Sequence, residues 1–259
     1  MITLILDTNI WFYLAKGEHP FVLQKLLEKY ANREVEFLVS SIQIDEWTRN
    51  KPNIIDDIKK AIHFQGQNAQ TIAEYLDGEQ KETFIIALSA FRAKEQDILS
   101  AAESRFALIE DILTNKSAIA QVQDFEKIEV ADWAIQKKAP FHRNKNSYAD
   151  ALILLSTINY IKENSIHKGD NGLIEVPDSI FVSFNSDDFS KGTQGNEKNL
   201  LHPDLEPLLG SIHMTFERNI GKLLNLTDEL KVEIDRYWEY IDALIQSHLE
   251  SEIEIMCGK

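Results

Sequence analysis

The segment ITLILDTN at residues 2–9 decides how this chain is interpreted. Its first five residues are apolar or β-branched, and the polar triplet Asp7, Thr8 and Asn9 stops them. A short continuous run of this kind is typical of a strand buried on both faces, as in a parallel sheet. The segment therefore predicts a buried strand that ends at an acidic turn.

Outward from this segment, strands alternate with helices. Helical patterns at residues 10–15 and 21–30 precede EFLVS at 36–40, a second strand, after which Ser41 is the predicted N-cap of a helix. Residues 147–163 predict a strongly apolar helix, and SIFVSF at 179–184 predicts a late strand. Such alternation indicates an α/β fold with a central, mostly parallel sheet.

The middle of the chain, residues 53–137, has almost no strand signal. Apolar residues recur at steps of three and four between 84 and 113, which predicts a long helix packed on its neighbour as a helical hairpin. Beyond Pro207 the pattern is helical again, and Thr227 is the predicted cap of a late helix. We therefore expect one domain at residues 1–205 with a helical insertion at 53–137, and a C-terminal helical extension at 206–259 packed on it.

The composition restricts the setting. With 27 Lys and Arg against 42 Asp and Glu, the net charge is −15. The single cysteine, Cys257, excludes an intramolecular disulfide and a multi-cysteine zinc site. No run approaches the roughly 20 apolar residues of a spanning helix, so a cytoplasmic protein without a membrane is expected. The acidity disfavours phosphate binding unless divalent cations or a local basic patch offset it, and it would equally suit a basic partner protein.

Acidic residues follow the predicted strands or begin the predicted helices. Asp7 follows the first strand, and Asp187 and Asp188 follow the late one. Glu46 and Asp150 lie near the starts of helices. Sites in open parallel sheets form outside the carboxyl ends of strands, and converging carboxylates suit Mg²⁺ or Mn²⁺. Taken singly, each acid also has a structural explanation in a turn, a helix dipole or a capping-box spacing.

The order of these segments carries a family resemblance. DTN at 7–9, SSIQIDEWTR at 40–49, NSYADALIL at 146–154 and FVSFNSDDF at 181–189 together resemble the PIN-domain nucleases. The resemblance implies a three-layer α/β/α PIN-like fold and Mg²⁺ or Mn²⁺ as cofactor. It also implies metal-binding and catalytic roles for Asp7, Glu46, Asp150 and Asp188, with Asp187 as the alternative fourth ligand. Asn9, Ser183 and Asn185 would steady these acids.

The chain is longer than a minimal PIN domain and is similar to larger bacterial members with helical insertions. A basic segment, KKAPFHRNKN at 137–146, lies directly before Asp150 in this acidic chain. Phosphate contacts come from such side chains, although a solvated loop is an equally good interpretation. The nucleic-acid-binding candidates are Arg49, Lys138, His142, Arg143 and Lys145.

The resemblance implies an endoribonuclease that hydrolyses phosphodiester bonds, acting as a toxin or defence effector. RNA is favoured by the habit of the family and not by any residue that would read a base. The implied partners are nucleic acid, an antitoxin or defence-complex protein, and a second copy of the chain. A DNA or flap-type nuclease and a catalytically silent interaction module remain open. Asn9 argues against a haloacid-dehalogenase-like phosphatase, which would have a second Asp there.

Overall fold

The structure is a computed structural model, and it describes residues 1–17, 19–143, 145–164 and 178–224, with the backbone alone at 167–168 and 174–175. Contacts divide the chain into two units, Met1–Arg218 and Asn219–Lys259. The first unit contains every element up to the last strand of the sheet. Of the second, a short helix at Ile220–Leu223 is described, and the predicted helix capped by Thr227 lies outside the described residues.

A sheet of five parallel strands forms the centre of the first unit. In chain order its strands are β1 (Ile2–Leu6), β2 (Val35–Ser40), β3 (Ala118–Ala120), β6 (Ser179–Val182) and β7 (Met214–Glu217). Across the sheet the order is β3-β2-β1-β6-β7. Between β3 and β6 in the chain, β4 (His167–Lys168) and β5 (Ile174–Glu175) form a separate antiparallel pair.

Helices connect the strands and cover both faces. In the first unit they are α1 (Thr8–Lys16), α2 (Pro20–Ala31), α3 (Ser41–Ala73), α4 (Gly78–Asp111), α5 (Asp124–Ile135), α6 (Tyr148–Asn164), α7 (Ser186–Phe189) and α8 (Glu206–Gly210). The short helix of the second unit is α9 (Ile220–Leu223). A π-helical turn at Ile112–Lys116 extends α4, and short 3-10 turns lie at Phe141–Arg143 and Gly195–Asn199. In the described part of the chain, no helix is both long and apolar enough to cross a membrane.

The sheet has helices on both faces because its strands carry apolar side chains on both faces. Ile5 and Phe181 belong to the core that α5 and α6 complete. Phe37, which alternates to the opposite face, meets Trp11 of α1 edge to face at 5.3 Å. The predicted three-layer α/β/α architecture is therefore confirmed, with α1 and α2 on one side of the sheet and α5 and α6 on the other.

Three local predictions were wrong. The segment at 53–137 contains β3, which is too short at three residues to produce a strand period. Beyond Pro207 the helical pattern ends after one turn, and β7 follows as the edge strand of the sheet, past the expected domain limit at residue 205. The N-cap of α3 is Ser40 and not Ser41, because β2 runs directly into the helix and Ser40 forms the capping box.

Gln43 fixes the start of α3 against the end of β1. Its side-chain oxygen accepts a hydrogen bond from the Ser40 backbone N–H at 3.0 Å, and its amide nitrogen donates to the Leu6 carbonyl at 2.6 Å. The side chain is buried, so neither backbone group has water as an alternative. A pair of buried hydroxyls, Ser40 and Ser156, joins the same point to α6 at 2.8 Å. The elements that carry Asp7 and Glu46 are thereby locked together.

We predict that Gln43→Met destabilises the fold. Methionine keeps the length of the side chain but leaves the Ser40 N–H and the Leu6 carbonyl without this partner, at a cost of about 1–3 kcal/mol each. The free energy of unfolding, measured by urea denaturation, should fall by roughly 2–6 kcal/mol. Gln65→Met, at an exposed position of the same helix, is the matched control and should change stability by less than about 0.5 kcal/mol. Equal effects of the two substitutions would contradict this role.

Candidate metal centre

Four acids from four segments meet at the carboxyl end of the sheet. Asp7 directly follows β1, and Asp188 lies in the short helix after β6. Glu46 lies in the second turn of α3, which continues from β2, and Asp150 lies in the first turn of α6. The charges of all three other acids act on Asp150, which shows that the carboxylates are close enough to repel one another.

Asp7 is held in a buried position by the end of β6. It is the N-cap residue of α1 and is only 2% exposed. The Ser183 hydroxyl donates to its Oδ2 at 2.7 Å, and the Asn185 backbone N–H donates to the same hydroxyl oxygen at 3.0 Å. Burial raises the pKa of Asp7 to about 6, with the charges of Glu46 and Asp188 adding to the rise, while the bond from Ser183 opposes it.

Asp188 is fully buried and only partly satisfied. The amide of Asn185 donates to its Oδ2, and the ammonium group of Lys145 lies 3.4 Å from the same oxygen. Among the described residues its other oxygen, Oδ1, has no hydrogen-bond partner. A buried carboxylate oxygen without a partner is costly. This atom is therefore open to a positive ligand.

Glu46 is oriented by a residue that the sequence did not single out. Thr8, the first residue of α1, donates its hydroxyl to Glu46 Oε2 at 2.7 Å. Arg49, one turn further along α3, approaches the other oxygen at 3.8 Å but is itself well exposed. The clue was the DTN triplet, in which Thr8 stands between the two residues that did receive a role.

Asp150 is the most strongly perturbed acid of the group. Burial raises its pKa to about 8, and the negative charges of Asp7, Asp188 and Glu46 add to the rise in that order. The capping-box explanation for Asp150 gains no support from Ser147, because the hydroxyl of Ser147 is buried without a partner among the described residues.

The donor set is compatible with a hard divalent cation, because it consists of carboxylates that repel one another and includes the unpartnered Asp188 Oδ1. As the side chains stand, no group of three or more His, Cys, Asp or Glu within the described ranges is placed to hold a metal ion. Asp7, Glu46 and Asp188 instead bond to Ser183, Thr8 and Asn185. A cation would have to draw the carboxylates together, and its positive charge would offset the repulsion that opposes this change.

The remaining predicted site residues divide between the centre and the surface. Ser183 and Asn185 contact Asp7 and Asp188, as described. Asp187 is about half exposed and pairs with Arg143 at 3.0 Å, so the structure places Asp188 and not Asp187 among the other acids. Asn9 is exposed, and no hydrogen bond from its side chain to Asp7 is found in the described part of the chain.

Two residues of the basic segment before Asp150 lie beside the acids. Arg143 and Lys145 reach Asp187 and Asp188. His142 packs against His202 with ring centroids 4.4 Å apart and the ring planes tilted by 38°. Burial, with the nearby charges of His202 and Arg143, lowers the pKa of His142. Lys138 points elsewhere, over the ring of Trp133 at 4.8 Å. Of the five basic candidates, Arg49, Arg143 and Lys145 therefore lie beside the acids.

Comparison with known proteins agrees with this geometry. A family model described as PIN domain matches residues 4–189, which include all four acids, the last three residues of β1 and the whole of β2, β3 and β6. The chain belongs to the PIN-domain family, whose members are nucleases that commonly use divalent metal ions. No curated protein and no solved structure matches the chain.

The raised pKa values predict that the metal-free protein loses stability as the pH rises. An unfolded Asp titrates near 3.9, whereas folding raises the pKa of Asp7 to about 6 and that of Asp150 to about 8. The folded state therefore binds more protons between about pH 4 and pH 8, and stability declines with pH in that window. In EDTA, the melting temperature should fall between pH 5 and pH 8.5.

Asp150→Asn should flatten this pH dependence and raise the melting temperature at pH 8.5 by at least about 3 °C, because it removes one of the repelling charges. The control is Asp97→Asn, at an exposed position of α4, which should follow the wild-type curve. A wild-type melting temperature that rises over the same interval would show that the acids are not held together in solution.

Proposed function

We propose that this chain is a Mg²⁺- or Mn²⁺-dependent endoribonuclease that hydrolyses phosphodiester bonds at the cluster of Asp7, Glu46, Asp150 and Asp188. The observation that carries the proposal is the convergence of the four acids at one end of the sheet, where Thr8 donates to Glu46 and Ser183 donates to Asp7. Burial and the charges of the three other acids raise the pKa of Asp150 there to about 8. Perturbed carboxylates are concentrated at functional sites, and a divalent cation is the ligand that relieves their repulsion.

The four acids would have different roles in hydrolysis. Asp7, Asp150 and Asp188 would hold the ion, and Glu46 would position the attacking water or hold a second ion. A bound divalent ion supplies deprotonation of water near neutral pH and stabilises charge on the phosphate. Ser183 would keep Asp7 oriented, and Asn185 would do the same for Asp188. The hydroxyl of Thr8 would fix the direction of the Glu46 carboxylate.

The substrate backbone would lie along the basic rim beside the acids. Arg143 and Lys145 form salt bridges to Asp187 and Asp188 in this structure, and both cations lie next to the centre. Lys145 would be free to contact phosphate oxygens once Asp188 held an ion, and Arg143 would contact them from its place beside Asp187. RNA as the substrate, and a role as a toxin or defence effector, rest on the family resemblance. Induced expression that arrests growth, and fails to do so for Asp150→Asn, would support the toxin role.

Cleavage of end-labelled RNA and DNA of matched sequence tests the proposal. RNA should be cut internally with Mg²⁺ or Mn²⁺ and not in EDTA. Asp150→Asn should lower the rate by at least about 100-fold, which is the upper end of the loss seen when only a supporting group of a metal ligand is removed. Asp97→Asn, which removes an exposed carboxylate from α4, should stay within about twofold of wild type.

Other results of the cleavage assay would contradict parts of the proposal. Cleavage in EDTA would overturn the metal requirement, and exclusive cleavage of DNA would overturn the choice of RNA. Absence of cleavage by a protein that binds Mn²⁺ and RNA would indicate a silent interaction module. Metal binding itself is followed by the rise in melting temperature that a ligand of the folded state produces.

The substitution Thr8→Val tests how much the fixed orientation of the Glu46 carboxylate contributes to the cleavage rate. Valine has nearly the same shape but cannot donate to Glu46 Oε2, so the carboxylate loses its fixed direction. The cleavage rate should fall about 10- to 100-fold, the range typical for groups that orient a metal ligand. Thr8→Ser keeps the hydroxyl and should retain most of the activity. A rate for Thr8→Val equal to that of Thr8→Ser would rule out the orienting role.

A further inference from the structure

The last strand of the sheet ends beside the loop that supports two of the acids. β7 runs parallel to β6, and the register pairs Val182 with Glu217. This pairing continues past the end of β6, because the Ser183 backbone N–H donates to the Glu217 carbonyl at 3.2 Å. Arg218, the next residue of the chain, therefore lies at the carboxyl end of the sheet, which is also the end that carries the metal centre.

The side chain of Arg218 holds the loop between β6 and α7. Its Nη2 donates to the Phe184 carbonyl at 2.9 Å. Phe184 stands between Ser183 and Asn185, so this bond fixes the backbone from which both of these side chains project. The ring of Phe184 meets Tyr13 of α1 edge to face, with centroids 5.2 Å apart. Phe184 is thereby held both through its carbonyl and through its ring.

The loop that Arg218 holds carries the hydrogen-bond donors of two acids. The Ser183 hydroxyl donates to Asp7, and the Asn185 amide donates to Asp188. The Asn185 backbone N–H also donates to the Ser183 hydroxyl oxygen, which couples the two donors to each other. A displacement of this loop would therefore change the direction of both carboxylates at once, although the two acids follow different strands.

The stability of the fold does not by itself explain an arginine at this position. The Nε atom of Arg218 is buried and has no hydrogen-bond partner among the described residues. A buried donor without a partner costs free energy, and this cost is comparable with what the bond to the Phe184 carbonyl contributes. An apolar side chain of similar length would lose the bond but would also avoid the cost. The net contribution of Arg218 to stability is therefore small.

We propose that Arg218 is a positioning residue of the metal centre, which orients Asp7 and Asp188 toward one cation by holding the Phe184 carbonyl. This role rests on the proposed function, because both acids must bind the ion. It extends the centre to β7, which lies outside the residues 4–189 that the family model matches. Groups that orient metal ligands typically change metal affinity about 10- to 100-fold. Arg218 acts through the backbone of such groups, so we expect a change of about 10-fold.

The sign of the change in metal affinity separates positioning from charge. Arg218 is itself a cation, so its charge alone opposes the binding of Mn²⁺, and its removal in Arg218→Met would strengthen that binding. Loss of the positioning bond predicts the reverse, a Mn²⁺ affinity about 10-fold weaker than that of wild type. Binding to the full chain is measured by the electron paramagnetic resonance signal of free Mn²⁺. Arg92→Met removes an exposed arginine of α4 and gives the same net charge, so it is the matched control and should stay within about twofold of wild type.

Two further variants separate the donor from the fold. Arg218→Lys keeps the charge and a donor for the Phe184 carbonyl, and it should recover most of the Mn²⁺ affinity. Arg218→Gln is polar but too short to reach this carbonyl, so it should lose affinity as Arg218→Met does, and it replaces that variant if methionine impairs folding. Without metal, the melting temperature of Arg218→Gln should stay within about 3 °C of wild type. The backbone N–H of Asn185 should exchange its hydrogen faster in Arg218→Gln than in wild type.

The results that contradict this role differ from those that contradict the proposed function. Mn²⁺ binding by Arg218→Gln that equals or exceeds that of wild type would overturn the positioning role and leave the proposed function intact. Unchanged hydrogen exchange at Asn185 would do the same, since the loop would not depend on the arginine. A wild type that does not bind Mn²⁺ would overturn the proposed function, and the role of Arg218 with it.

Discussion

Electrostatic repulsion among Asp7, Glu46, Asp150 and Asp188 is the constraint around which the first unit is arranged. Water cannot screen carboxylates that are largely buried, so other parts of the fold must hold them in place. Parallel strands bring β1 and β6 side by side, and the Ser183 hydroxyl spans from one strand end to the acid of the other. Two further hydrogen bonds fix α3, the helix that carries Glu46: Gln43 donates to the Leu6 carbonyl at the end of β1, and Thr8 donates to Glu46. The hydrogen bonds at the ends of these strands thus contribute stability that offsets the repulsion among the carboxylates.

Sequence periodicity was informative where burial is complete. The runs at β1, β2 and β6 and the apolar helix α6 were predictable, because strands and helices buried on all sides leave an unbroken apolar signal. The short edge strands β3 and β7 were not, since three or four residues at the edge of a sheet produce no period. Their places depend on pairing with β2 and β6, which is information that lies far away in the chain.

The convergence of the four acids was predictable from the order of four segments. The residues that hydrogen-bond to the acids were predictable only in part. Ser183 and Asn185 follow a strand within the same motif as Asp188, and this proximity in sequence made them visible. Thr8 acts on Glu46, 38 residues further along the chain, and no local pattern records such a pair. The separation of Asp187 from Asp188 likewise depends on the turn of α7, which buries one carboxylate and exposes its neighbour.

The distribution of the acids along the chain has a consequence for synthesis on the ribosome. Asp7 leaves the exit tunnel before the other three acids and Asp188 leaves it after them, and β6, which lies between β1 and β7 in the sheet, follows the long hairpin in the chain. A nascent chain can form β1, β2 and the long hairpin while it still lacks the strand that brings Ser183 and Asp188 to Asp7. The four carboxylates therefore meet only after Asp188 has been translated, and a product that terminates before this residue lacks a complete cluster.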